Sequence, residues 1–298
     1  MTSNLQQAVL NQDFLVTAEV APPKGGNPER MLEVANKLKG RVHAVNVTDG
    51  SRAVLRMSSV AASVILLNND IEPVCQVACR DRNCIGLQAD LMGAYALGIR
   101  NVLALTGDPV KVGDHKTSRA VFELESVRLL NLISKLNNGV DFNDKVMPDE
   151  PLKLFSGAAV DPQLKSISGL QKRFEKKLEA GAEFFQSQMI TDFDKLEDFM
   201  TKIACVSDKP ILAGIFLLKS AKNARFINKY VPGVNIPDSI IERLGNADQP
   251  LQEGIKIAAE QVKLAKTMCQ GVHLMAVKRE DLMPQILDLA GIEPVKVN

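Results

Sequence analysis

The sequence predicts a single α/β domain of the (β/α)8 TIM-barrel class. Eight short runs rich in β-forming residues alternate with helical segments, and most of the runs end in polar residues. Such alternation is typical of a parallel sheet, and eight units favour closure into a barrel over an open sheet. The 298 residues exceed the usual domain size but suit one barrel of roughly 250 residues with insertions. We therefore assign residues 1–298 to a single catalytic domain.

The first half of the chain contains four strand–helix units. Residues 14–20 are rich in β-forming residues and stop at Pro22-Pro23; Asn27-Pro28 then begins a helix, with asparagine as the cap and proline in the first turn. Each later unit repeats an apolar run, a polar turn and a helical segment. These strands are expected at 41–48, 72–78 and 102–105, and the four helices at 27–39, 54–68, 83–97 and 121–136.

The second half continues the same alternation after a polar, irregular stretch at 137–153. Because the pattern resumes, this stretch is interpreted as an excursion and not as a domain linker. Gly181 is placed to end one helix, and Pro250 to begin another. Strands are expected at 154–160, 183–190, 209–218 and 271–276, and helices at 170–180, 194–207, 220–229, 250–269 and 280–290. An extra helical segment is expected at 231–245, punctuated by Pro232 and Pro237.

Closure of the barrel would gather the strand ends at one mouth, which is where such barrels hold their chemistry. Two acids lie at these ends. Asp108 follows the fourth strand in the turn Thr106-Gly107-Asp108-Pro109, and is interpreted either as a site acid or as a turn residue. Gly107 allows a tight turn or close approach to a ligand. Glu19 has apolar sequence neighbours, which favour a protonated carboxyl and a general-acid role; a solvated edge carboxylate is the alternative.

Composition excludes several classes of function. The 36 basic and 35 acidic residues give a net charge of +1 and no basic patch, so nucleic-acid binding is not expected. No apolar run reaches the roughly 18 residues of a membrane span, and the first residues do not resemble a secretory signal. Five cysteines fit reduced thiols, so a cytoplasmic protein is expected. No GxGxxG or GxxxxGK[ST] fingerprint occurs.

No metal site is expected from the cysteines or histidines. Cys75, Cys79 and Cys84 are close in sequence, but they form no CxxC pair and the nearest histidines are distant, so packing thiols are favoured. His273 alternates with apolar residues, which favours a core histidine over a catalytic one.

Four sequence elements together resemble a known enzyme family. Thr17-Ala-Glu19-Val-Ala-Pro-Pro23, Leu105-Thr-Gly-Asp108, Ala180-Gly-Ala182 and Gln188 follow the order seen in methylenetetrahydrofolate reductases, and the resemblance runs from about residue 14 to residue 291. It implies a flavin-dependent barrel that reduces 5,10-methylenetetrahydrofolate to 5-methyltetrahydrofolate, with FAD favoured over FMN.

The resemblance also implies roles for individual residues. Glu19 matches the general acid that protonates N10 of the folate as its five-membered ring opens, and Asp108 matches the acid that lies beside the flavin and faces the folate. Gln188 and Arg279 match substrate contacts. The implied flavin contacts are Thr48, Gln76, Thr106, Gly107, Asp108 and Lys177.

Four positions depart from the family pattern. Gln76 and Thr106 stand where many members have histidine and arginine, Val160 replaces a common tyrosine, and Ala221 stands where a phenylalanine helps to bind the nicotinamide donor and the folate. The expected electron donor is therefore NADH or a separate redox subunit, such as an iron–sulfur partner, and both homo- and hetero-oligomers remain open.

Two alternatives come from other functional classes. One is an aldolase-type barrel with a Schiff-base lysine, for which Lys153 and Lys219 lie near strand ends; Lys153 precedes its strand and so points to the wrong mouth. The other is a flavin- or folate-binding subunit without catalysis of its own.

Overall fold

The computed structural model describes residues 2–231 and 233–295. Eight strands, all parallel, pair in chain order, and the last pairs with the first, so the sheet is a closed barrel. The strands are β1 (Leu15–Val20), β2 (Ala44–Val47), β3 (Pro73–Ala78), β4 (Asn101–Leu105), β5 (Phe155–Val160), β6 (Phe184–Met189), β7 (Ile211–Phe216) and β8 (Gly271–Met275). The predicted (β/α)8 fold and all eight predicted strands are confirmed.

Helices surround the barrel on its outer face, except for the N-terminal helix, which lies at the bottom. They are α1 (Asn4–Leu10), α2 (Glu29–Leu38), α3 (Ser59–Leu67), α4 (Cys84–Ala96), α5 (Ser126–Asn137), α6 (Ile167–Glu179), α7 (Phe193–Lys202), α8 (Ala221–Tyr230), α9 (Asp238–Gly245), α10 (Pro250–Lys266) and α11 (Met283–Ala290). The extra helical segment is confirmed only for its second half, as α9; Pro232 lies outside the described residues.

Two predicted helix starts are five residues too early, in both cases because a capping residue comes later. The helix expected from residue 121 begins at Ser126: Phe122 has a φ of +43°, and the Glu125 carboxylate accepts hydrogen bonds from the first turn of α5. The helix expected from residue 54 begins at Ser59, where Ser58 caps the first turn of α3, and a short 3₁₀ turn at Ser51–Ala53 precedes it.

The N-terminal helix α1, which the sequence reasoning did not predict, closes the bottom of the barrel. Leu5 is fully buried there in the same apolar cluster as Phe155 and Phe184. The Glu72 carboxylate accepts the backbone N–H groups of Asn4 and Leu5 at 2.6 and 2.9 Å. Burial raises the pKa of Glu72, although these bonds oppose the shift. Helix α1 and these apolar side chains thus fill the bottom of the barrel.

Strand alternation on β1 decides which side chains face the barrel interior. Ala18 and Val20 belong to the apolar layer between strands and helices, whereas Thr17 and Glu19 face inward. The apolar neighbours that made Glu19 a candidate acid in the sequence therefore lie on the opposite side of the strand from its carboxyl group.

Candidate active site at the barrel mouth

A cavity of about 370 Å³ opens at the carboxyl ends of the strands. It gathers most of the residues that the sequence marked as functional, together with acids, amides and cations from several other strands. The polar lining consists of Glu19, Asp49, Ser51, Gln76, Arg80, Thr106, Asp108, Ser126, Lys177, Gln186, Ser187, Gln188 and His273. Leu103, Leu105 and Met275 add apolar surface. This combination of apolar walls and converging polar groups is typical of a site for a cofactor or small substrate.

Glu19 lies on the wall of this cavity. Its side chain is 31% exposed, and the nearest basic group is His273, whose Nε2 lies 4.0 Å from Glu19 Oε2. A carboxyl group that lines a cavity without a tight ion pair is free to exchange a proton with a bound ligand.

A chain of buried polar side chains runs through the barrel beneath Glu19. The amides of Asn46 and Gln186 hydrogen-bond each other in both directions, at 2.6 and 3.1 Å. Gln186 also donates to the Thr17 hydroxyl at 3.2 Å, and this hydroxyl lies 2.9 Å from His273 Nδ1. His273 is 4% exposed. It is thus a buried, hydrogen-bonded histidine, as predicted, but it also forms part of the cavity wall.

Asp108 is held in the turn after β4. Its Oδ2 accepts the backbone N–H of Arg52 at 2.7 Å, which ties this turn to the loop after β2. Gly107 has a φ of +91°, as the turn requires, and a Cβ there would lie 3.1 Å from the Cβ of Arg80 and 3.2 Å from that of Ala78. Glycine therefore permits the turn and avoids close contacts with these two side chains.

Gln76 and Lys177 supply an amide and an ammonium group to the cavity lining. Gln76 is 7% exposed, and its side-chain amide makes no hydrogen bond with any described residue. Lys177 extends from α6 and donates to the carbonyl oxygen of Ala159 at 2.6 Å; burial lowers its pKa. Lys177 also borders a second cavity of about 330 Å³, which shares Ala159 and Gln188 with the first.

Two of the predicted site residues do not line this cavity, and a third, Thr106, lines it while also contacting a helix. Thr48 is buried beneath the cavity surface and does not line it. The Thr106 hydroxyl accepts the backbone N–H of Ser126 and so caps α5. Arg279 lies beyond the cavity, with its Nε 3.2 Å from Asp281 Oδ1. Gln188, in contrast, is exposed at the mouth and lines both cavities.

Sequence reasoning did not identify Arg80. Its guanidinium group donates to the Asp81 carboxylate and to the carbonyl oxygen of Gly50 at 3.0 Å, and the side chain is 6% exposed. It thereby connects the loop after β2 to the end of β3. A basic residue soon after a strand was the available signal, but nothing in the sequence distinguishes Arg80 from its neighbour Arg82, which pairs with Asp49 and Asp90.

The two lysines of the aldolase alternative lie elsewhere. Lys153 is exposed before β5, and Lys219 donates to the carbonyl oxygen of Val277. Neither lysine lines the cavity.

Cys75 and Cys79 are packing thiols: burial raises the pKa of Cys75 to about 11 and that of Cys79 to about 12. In the described part of the chain, no group of three or more His, Cys, Asp or Glu side chains could hold a metal ion. Among the described residues, no helix is both long and apolar enough to cross a membrane.

Comparison with solved structures supports the fold alone. Tryptophan synthase from M. tuberculosis aligns with a TM-score of 0.53 at 11% identity, covering 99% of this chain and 100% of the other. DmoA from Hyphomicrobium sulfonivorans aligns with a TM-score of 0.54 at 11% identity, covering 95% and 89%.

Comparison of sequences identifies the family. Two similar proteins from Schizosaccharomyces pombe are methylenetetrahydrofolate reductase 1, 23% identical over 290 residues, and methylenetetrahydrofolate reductase 2, 25% identical over 265 residues. The alignments cover 92% and 83% of this chain but 45% and 40% of those proteins, so the chain spans less than half the length of these relatives. The family model for methylenetetrahydrofolate reductase matches residues 4–291. The chain therefore belongs to the methylenetetrahydrofolate reductase family.

Proposed function

We propose that this chain reduces 5,10-methylenetetrahydrofolate to 5-methyltetrahydrofolate with a bound flavin, and that Glu19 is its general acid. The observation that carries the proposal is the position of Glu19: its carboxyl group faces the same cavity as Asp108, Gln76, Lys177 and Gln188. A family match over residues 4–291 supports the same reaction.

The residues at the mouth fit a flavin. The unpaired amide of Gln76 offers both a donor and an acceptor to the edge of a planar heterocycle. Gly107 permits the tight turn that places Asp108 at the cavity, and Lys177 supplies a cation at the boundary between the two cavities. We propose that Thr48, Gln76, Thr106, Gly107, Asp108 and Lys177 form the binding site, and that FAD is bound in preference to FMN because the second cavity gives room for a longer ligand. When bound, the flavin would supply the hydride.

Glu19 and Asp108 act on the substrate in this proposal. As the bond between the methylene carbon and N10 of the folate breaks, its electron pair stays on N10, and Glu19 donates its proton there. The carbon left on N5 is then cationic, and the Asp108 carboxylate stabilises it. Gln188 contacts the substrate at the mouth, and Arg279 contacts a part of it that extends beyond the cavity.

A product assay tests the proposed function. The purified chain is supplied with FAD, reduced viologen dye and methylenetetrahydrofolate under anaerobic conditions, and 5-methyltetrahydrofolate is measured by mass spectrometry. We expect flavin absorbance and product formation. A yellow chain that forms no product with any donor would favour the non-catalytic subunit, and a chain that binds no flavin would refute the proposal.

A further inference from the structure

The hydrogen bonds of the buried polar chain, together with the position of Glu19, indicate where its protons lie. Thr17 Oγ1 accepts a hydrogen bond from the Gln186 amide, and a hydroxyl group has one proton of its own to donate. The partner within reach is His273 Nδ1, at 2.9 Å. A neutral histidine whose Nδ1 accepts a hydrogen bond carries its proton on Nε2. Nε2 is the ring nitrogen that faces Glu19.

We propose that His273 is a positioning residue for Glu19, an inference that rests on the proposed function. The Nε2–H group of His273 is directed at Glu19 Oε2 and leaves Oε1 as the oxygen that carries the transferable proton. The separation of 4.0 Å is longer than a hydrogen bond, and such contacts commonly shorten only when substrate is bound. During the reaction the proton on Oε1 moves to N10 of the folate, and His273 keeps its own proton throughout.

The opposite tautomer would place the proton of Glu19 on the wrong oxygen. If Nδ1 instead donated its hydrogen bond to Thr17, the bare lone pair of Nε2 would face Glu19 Oε2 and would hold the acid proton of Glu19 on that oxygen, away from the folate. Because the amides of Asn46 and Gln186 hydrogen-bond each other in both directions, the Gln186 group that faces Thr17 Oγ1 is its amide N–H donor. The role of these three polar residues is therefore to set the tautomer of His273.

Histidine NMR tests the tautomer directly, because the chain contains only three histidines. In a chain labelled with ¹⁵N-histidine, His43 is an internal reference for a proton on Nε2, since its Nδ1 accepts the Val16 N–H at 3.0 Å. His115 is exposed, so its NMR signals are recognised as those of a solvated ring. Substitution His273→Asn removes one set of signals and so assigns it. We expect His273 to be neutral with its proton on Nε2; a proton on Nδ1, or on both nitrogens at neutral pH, would overturn the proposal.

Kinetics test whether this arrangement serves Glu19. Thr17→Val keeps the shape of the side chain but removes the hydroxyl, whereas Thr17→Ser keeps the hydroxyl. We expect Thr17→Val to slow folate reduction about tenfold or more, because a misoriented catalytic group loses much of its effect. The KM for methylenetetrahydrofolate and flavin reduction by viologen should be unchanged, and Thr17→Ser should restore the rate to within about twofold of the parent.

Three outcomes separate the possible failures. An unchanged rate in Thr17→Val would refute the positioning role while leaving the proposed function intact. A Thr17→Ser variant as slow as Thr17→Val would also refute it, because packing and not the hydroxyl would then matter. A parent chain that binds flavin but reduces no methylenetetrahydrofolate would refute the proposed function, and the positioning role with it, whatever tautomer the NMR spectra show.

Discussion

Replacing Glu19 with glutamine tests the general acid at the scale of one residue. Glu19→Gln keeps the size of the side chain but removes its transferable proton. General acid catalysis is typically worth about 10²–10⁴ in rate, so folate reduction should fall by that order while flavin reduction by viologen continues. Rates of the two half-reactions in the variant and the parent give the comparison. Folate reduction within about threefold of the parent would remove Glu19 from this role.

Asp108→Asn separates the chemical and structural roles of the acid in the β4 turn. Asparagine retains an oxygen that accepts the Arg52 N–H, so the fold and the bound flavin should be retained. Loss of a carboxylate that stabilises a developing cation should slow the folate half-reaction about 10²-fold or more. Flavin content, thermal unfolding and single-turnover rates should be measured together. Loss of flavin with unfolding would instead show that Asp108 is a turn residue.

At this scale, sequence reasoning located the residues at strand ends but not the buried polar residues beneath them. Glu19, Asp108 and Gln188 line the cavity, as expected from their positions at strand ends. Thr17 and Asn46 are polar residues flanked on both sides by apolar residues, which was a usable signal. Their connection through Gln186 spans 169 and 140 residues in sequence and exists only because the barrel closes.

His43, at the start of β2, should make stability depend on pH. Burial lowers the pKa of this ring below its usual value of about 6.5. Below about pH 6.5 the unfolded chain therefore takes up a proton that the folded chain does not, so the free energy of unfolding decreases as the pH falls and is fully recovered above this value. Denaturant titrations between pH 5 and 8 should show this decrease in the parent and a smaller one in His43→Gln. An equal decrease in both proteins would assign the effect to other groups.

Gly157 on β5 tests the packing inside the barrel. A Cβ at this position would overlap the ring of Phe184, which is fully buried and stacks on Phe155 with centroids 5.1 Å apart. Gly157→Ala should destabilise the protein by roughly 1–3 kcal/mol, the usual cost of overpacking. Gly93→Ala, on the exposed face of α4 with nothing within 4 Å of the new methyl group, is the matched control and should be neutral or slightly stabilising. Thermal unfolding of both variants is the measurement; equal effects would contradict the packing account.

Elements were predicted better in their existence than in their limits. Period-two runs and buried apolar runs found all eight strands because each strand is bounded by turn residues. The starts of α3 and α5 were placed too early, because the side chains of Ser58 and Glu125 define them and apolar periodicity does not. Helix α1 was missed since its role, closing the barrel bottom through Leu5 and Glu72, depends on contacts distant in sequence.

The proposed function also requires that the molecule take electrons from a donor, and Ala221 bears on which one. This residue begins α8 and is 8% exposed, so it offers no aromatic face on which a nicotinamide could stack. A buried aromatic contact contributes roughly 0.5–1.5 kcal/mol beyond its area. We therefore expect the isolated chain to accept electrons faster from reduced viologen or a separate redox subunit than from NADH. Rapid, saturable bleaching of the flavin at micromolar NADH would contradict this expectation.

At the scale of the molecule, the sequence could predict closure of the barrel but not the side-chain contacts that closure creates. Eight regular units predicted closure, and closure places β1 beside β8, so that Glu19 lies near His273, which is 254 positions later in the chain. Which loops cover the mouth, and the position of Arg279 beyond it, depend on irregular backbone for which the sequence holds no periodic signal.

The most direct test of the central claim is a single half-reaction observed without any donor. The chain is loaded with FAD, reduced completely with dithionite under anaerobic conditions, and mixed with methylenetetrahydrofolate in a stopped-flow instrument while flavin absorbance is followed. Our account predicts that the absorbance of oxidised flavin returns with a rate that saturates with methylenetetrahydrofolate, that one 5-methyltetrahydrofolate forms per flavin, and that Glu19→Gln slows this phase by about 10²-fold or more. A reduced flavin that stays reduced in the presence of methylenetetrahydrofolate would contradict it.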